Sequence, residues 1–117
     1  MTASIDGARR LKLRVGPLAF TAWEIGRGPL VLLLHGFPDS PATFARQLPA
    51  LAAAGWRAVA VTCRGYEASS QPSDNAFHLV DLAHDVVGWI DALGADRAHL
   101  VGHDWGATIG FAAAALR

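Results

Sequence analysis

Gly102-His103-Asp104-Trp105-Gly106 sets an acidic side chain between two glycines, after an aliphatic run at 98–102 and before an alanine-rich run at 107–116. A sharp bend from strand to helix needs small residues on either side of its apex, because a Cβ there would collide with neighbouring elements. Gly102 and Gly106 meet that need. The helix starting behind the bend points its first N–H groups at the apex and favours negative charge there. Asp104 is therefore the expected nucleophile. A carboxylate is already ionised at neutral pH and can displace a leaving group from an sp3 carbon directly, forming an alkyl ester on the protein. Water must then attack the ester carbonyl while backbone donors, expected from Phe37 and Trp105, hold the oxyanion. A histidine base is needed only for that second half. A plain helix cap at Asp104 would explain neither the glycines nor the preceding strand.

The remaining reactive residues offer less. His35 and His103 lie inside the motifs and read as structural. His78 and His84 belong to a helix or its lead-in, where histidines are usually solvated or satisfied, and His99 falls within a strand on the wrong side of the bend. Tyr66 is the sole tyrosine and reads as a loop packing residue. Cys63 is the sole cysteine, so it reads as a small packed residue and excludes any disulfide within the chain, which suits a reducing cytoplasm.

The elements that must position Asp104 follow from hydrophobic period and punctuation. Residues 11–15 and 18–25 alternate as two antiparallel strands joined across Gly16-Pro17. Residues 30–34 are uninterrupted aliphatics between turn formers, the composition of a central strand buried on both faces. Ser40 and Pro41 open a helix expected to run to about Ala54, where Gly55 stops it. A strand follows at 57–61, then a surface loop at 62–77. A second helix carries Leu79, Leu82, Ala83, Val86, Ile90 and Leu93 at helical spacing and ends at Gly94. The strand at 98–102 and the helix from Ala107 complete an alternation that predicts an α/β, three-layer α/β/α sandwich with a mostly parallel sheet.

Composition narrows the partners. Of 117 residues, 52% are hydrophobic and 17% charged, and ten basic residues balance ten acidic ones to a net charge of zero. No long-range field would steer the chain to nucleic acid or an anionic membrane, so the expected partner is a small uncharged molecule. Arg9, Arg10, Lys12 and Arg14 read as solvated charges that discourage edge pairing. The opening residues lack the apolar run of a secretory signal, and no stretch approaches the roughly 18 apolar residues of a membrane span.

These motifs resemble those of epoxide hydrolases of the α/β-hydrolase superfamily. His35-Gly36-Phe37-Pro38 is similar to their HGxP motif, Val101 through Ala107 to their nucleophile elbow, and Arg64-Gly65-Tyr66 with Ser69 and Ser70 to a third segment. The resemblance implies an Asp104 nucleophile, an oxyanion hole from the Phe37 and Trp105 amides, a cis Phe37-Pro38 bond, a diol product, and no metal or cofactor. It departs at Thr62 and Cys63, in the stretch where an Asp is usual, and at Glu67, where Gly is common. The family's cap, epoxide-binding tyrosines, third carboxylate and base histidine would all follow Arg117, so residues 1–117 are expected to be the N-terminal part of a core domain.

Two further readings stand beside this one. A haloalkane or haloacid dehalogenase uses the same attack, and the Trp105 indole N–H could hold the halide, but Phe37 lacks the side-chain donor often found at its position in those enzymes. Alternatively the chain is an inactive truncated fragment. With half a sheet missing, an apolar surface and a strand edge would stay uncovered, and self-association is expected.

Overall fold

A computed structural model describes residues 5–116. Residues 1–4, on which the reading of the opening stretch partly rests, and residue 117 lie outside it. The described chain forms strands β1 (Arg9–Val15), β2 (Leu18–Ile25), β3 (Leu30–Leu34), β4 (Arg57–Val61) and β5 (His99–Gly102). Helices α1 (Gln47–Ala53), α2 (Leu79–Ala92) and α3 (Trp105–Leu116) alternate with the later strands. The sheet runs β1-β2-β4-β3-β5. β4, β3 and β5 pair in parallel, and β2 and β1 extend them antiparallel.

Strand periodicity divides the core in two. Leu30, Leu32 and Leu34 of β3, with Val59 and Val61 of β4, face the layer of α2 and α3. Val31, Leu33, Ala58 and Ala60 face the other layer, where Phe44 and Leu48 pack. All of β3 is buried, as its continuous aliphatic run predicts, and burying each such side chain contributes roughly 1.5–3 kcal/mol. The chain passes from β3 to β4 on one side and then back across to β5 on the other. Right-handed crossovers must therefore place α1 and α2 on opposite faces, which produces the three layers.

The helix expected from Pro41 to Ala54 is divided. Ser40 does cap, its Oγ accepting from the Ala42 N–H at 3.3 Å, but only a 3-10 turn at Pro41–Phe44 follows, and α1 restarts at Gln47. Pro49 is the reason. In a continuous helix its ring would clash with the Ala45 carbonyl and its missing N–H would leave that carbonyl without a partner, whereas in the first turn of α1 it is tolerated.

The segment 62–77 is more firmly held than a surface loop. Thr62, Cys63 and Ser70 are buried. The Arg64 guanidinium donates two bonds of 2.8 Å to Asp85 of α2 and one of 2.6 Å to the Ala76 carbonyl. Glu67 accepts from the Thr21 amide at 2.8 Å, the Thr21 hydroxyl at 2.6 Å and Lys12 at 3.4 Å. The edge cations are thus not all solvated: Lys12 serves Glu67, and Arg9 joins Arg57 on Glu24. Beyond β5, Val86, Val87, Ile90, Leu100, Val101 and Phe111 line an open groove of about 770 Å³. None of the described helices is long and apolar enough to cross a membrane.

Burial opposes ionisation of Glu67, but the Thr21 and Lys12 donors outweigh it and hold the carboxyl below its ordinary 4.5. Such a group stabilises the fold above the unfolded value and loses that contribution as pH falls through the folded one. Glu67→Gln should therefore cost about 1–3 kcal/mol in urea unfolding at pH 7. The gap from the parent chain should close as pH drops below 4.5.

Candidate active site

Two loops meet at the carboxyl ends of β3 and β5. These strands are neighbours, yet the chain leaves β3 toward α1 on one face and leaves β5 into α3 on the other. Such a switch point is where ligands settle in open α/β sheets, and the two loops flank it. One rim is His35 to Pro38, and the other is His103 to Trp105.

Backbone contacts weld the rims together. The register Leu34↔Gly102 continues as the His103 N–H donates to the Leu34 carbonyl at 3.0 Å. The chain then turns at Asp104, whose φ of +60° is uncommon for a side-chain-bearing residue. The Gly106 N–H returns to the His103 carbonyl at 3.0 Å, and the Ala107 N–H to the Asp104 carbonyl at 3.1 Å. The glycines are needed for proximity and not for their own dihedrals. A Cβ on Gly106 would strike the Leu34 and His35 carbonyls, one on Gly102 the backbone of Gly106, and one on Gly36 the Asp104 side chain.

Asp104 Oδ2 accepts the Phe37 N–H at 3.1 Å. That bond and a second from the Trp105 amide lower the Asp104 pKa below its ordinary value, against a smaller opposing effect of desolvation. The carboxylate is exposed, as are the Phe37 and Trp105 side chains, at 66% and 57%. The Phe37-Pro38 peptide is cis.

His35 is buried, with Nδ1 at 2.9 Å from the Gly36 carbonyl and Nε2 accepting the Cys63 N–H at 3.0 Å. Those bonds select the Nδ1–H tautomer of the neutral ring, and burial lowers the pKa against the opposing effects of the Gly36 carbonyl and Asp39. His35 thus ties the Gly36 loop to the end of β4. Cys63 lies beneath it, its thiol pushed up to about 12 by burial, which suits a packed residue and not a reactive one. His103 is exposed and serves the bend through its backbone, while His99 lies edge-on to Trp56 at 4.8 Å.

Sequence reasoning passed over the Arg64–Asp85 pair. Its signal was an aspartate on the apolar stripe of α2, between Leu82, Val86 and Trp89, where an acid can persist only with a partner. The link between Glu67 and Thr21 had no signal, because the residues stand 46 apart and meet only in the folded chain.

A family model described as alpha/beta hydrolase fold matches residues 29–117, and the chain belongs to that family. It is 42% identical over 119 aligned residues to an epoxide hydrolase of Caballeronia sordidicola, covering 100% of this chain and 36% of the relative. It is also 51% identical over 84 residues to epoxide hydrolase B of Mycobacterium tuberculosis, covering 71% and 24%. An epoxide hydrolase structure from an endophytic Streptomyces superposes with a TM-score of 0.90 at 42% identity, over 96% of this chain and 34% of that one. The chain therefore spans about a third or less of the length of these relatives.

The positive φ at Asp104 separates two kinds of substitution. Asn visits that region with little cost, whereas a β-branched residue is strained there. Asp104→Asn should retain stability within about 1 kcal/mol, and Asp104→Val should lose about 1–3 kcal/mol, both read from urea unfolding.

Proposed function

We propose that this chain carries the nucleophile and oxyanion donors of an epoxide hydrolase, with Asp104 attacking an epoxide carbon. The observation that carries this reading is the Asp104 carboxylate at the apex of the bend, with Oδ2 already held by the Phe37 amide. Oδ2 is engaged, so Oδ1 is the attacking atom. It bonds to the epoxide carbon as the C–O bond of the ring breaks, and the departing oxygen takes a proton. The product is a hydroxyalkyl ester of Asp104, with Oδ2 as its carbonyl oxygen. When water adds to that carbonyl, negative charge develops on Oδ2, where the Phe37 and Trp105 amides are already directed. Collapse releases a diol and restores the carboxylate.

The base for the second half, and donors for the ring oxygen, would come from a longer chain of which these residues are the N-terminal part. The open edge of β5, its apolar groove and the length of the relatives support that arrangement. Uncovered, the same edge would favour self-association. The substrate would be a small uncharged epoxide met in the cytoplasm, consistent with the balanced charge and unpaired cysteine. His35, Gly36, Pro38, Gly102, His103 and Gly106 would serve as scaffold for the reacting groups.

Incubating the 117-residue chain with styrene oxide should add a single epoxide mass, lost in Asp104→Asn, with little diol turnover. Labelling should hold steady as pH falls from 7 and decline only below the ordinary carboxylate value of 3.8, because the folded pKa lies lower still. Labelling by 1-bromobutane with bromide release, and none by styrene oxide, would favour the dehalogenase reading, in which the exposed Trp105 indole holds the halide. Sustained diol formation would contradict the assignment of the base to residues outside this chain.

A further inference from the structure

Tyr66 lies close to this site without an assigned role. It packs edge-on to His35, with ring centroids 4.7 Å apart, and edge-on to Phe37 at 6.5 Å. Its placement is over-determined from both sides. On one flank Arg64 grips Asp85 and the Ala76 carbonyl, and the Gly65 N–H donates to the Ser70 carbonyl. On the other, Glu67 is bound to Thr21 and Lys12. The Tyr66 N–H itself donates to the Cys63 carbonyl. The ring is not sealed beneath the loop: 40% of Tyr66 is exposed. Burial raises its phenol pKa, and Cys63, Asp104 and Asp39 raise it further.

Phe37, Trp105 and Tyr66 therefore present partly exposed rings around one carboxylate. Phe37 is tied to Asp104 by its amide, Trp105 follows Asp104 in the chain, and Tyr66 backs Phe37. Aromatic rings at such spacings favour offset or edge-on contact with a further ring. We propose that Tyr66 is a specificity-determining residue, which with Phe37 and Trp105 holds the aryl substituent of the molecule attacked by Asp104 and selects aryl over short alkyl epoxides.

The proposal rests on Asp104 as the nucleophile, so its test carries a control for that reading. Rates of covalent labelling by styrene oxide and by 1,2-epoxypropane are measured by intact mass on the parent chain, Tyr66→Leu, Tyr66→Phe and Asp104→Asn. The ratio of the two rates is unaffected by any loss of folded protein, because both epoxides meet the same folded fraction. The aryl-to-alkyl ratio should fall roughly 3- to 10-fold in Tyr66→Leu, the worth of one aromatic contact. In Tyr66→Phe, which keeps the ring, it should be retained. An unchanged ratio in Tyr66→Leu would overturn the role of Tyr66, and so would an equal fall in both variants. Labelling that persists in Asp104→Asn would instead overturn the nucleophile reading.

Discussion

The carboxyl ends of this sheet depend on one close approach of backbone to backbone, between the bend after β5 and the end of β3. Gly106 lies against the carbonyls of Leu34 and His35, and the His103 N–H is bonded to the first of these. No side chain could occupy that gap. The approach places Asp104 at the apex and swings it over Gly36, so that its oxygen meets the Phe37 amide. Because main-chain donors make these contacts, the electrostatics of the site are preorganised by the fold and need no flexible cation. The approach also explains why the strain falls on Asp104, at φ +60°, and not on the flanking glycines: they supply space while the aspartate supplies the turn.

A second set of contacts fastens the loop after β4 to the rest of the molecule. Arg64 with Asp85 ties it to α2, Glu67 with Thr21 ties it to the antiparallel hairpin, and His35 with Cys63 ties it to the loop after β3. Arg64, Asp85 and Glu67 are largely buried and multiply bonded, so each would be costly to leave without its partner. Glu67 carries the tie to the hairpin. Here its carboxylate completes the hydrogen bonding of Thr21, whose amide lies just beyond the paired stretch of β2 with β4. The acid thus acts as an anchor, in a backbone that superposes on a relative with a TM-score of 0.90.

The opposite side of the molecule has a different character. β5 has only β3 as a neighbour among the described strands, and the groove beside it exposes Val101 and Phe111. α3 is apolar around much of its circumference, with alanines on several faces, a composition suited to a helix covered on more than one side. The site residues, by contrast, are supported from beneath by β3, β4 and the loop after β4, all of them within these residues. The Asp104 side of the sheet is therefore well supported, while the far flank is open.

Much of this was legible from the residues alone. β2, β3 and β4 ended where alternation or aliphatic runs met turn formers, because strand burial imprints a period of two or a continuous run on the chain. Asp104 could be singled out because a glycine on each side of a polar residue, between strand and helix, has few other physical explanations. Local rules erred where two of them competed: Ser40-Pro41 announced a helix, and Pro49 denied it continuity. What sequence could not supply were distances between residues far apart in the chain. That Phe37 donates to Asp104, that Asp85 is buried on Arg64, and that Tyr66 backs Phe37 are consequences of where β3, β4 and β5 place their loops. Those placements follow from strand order and crossover handedness, which are settled by packing the whole sheet and not by any local run of residues.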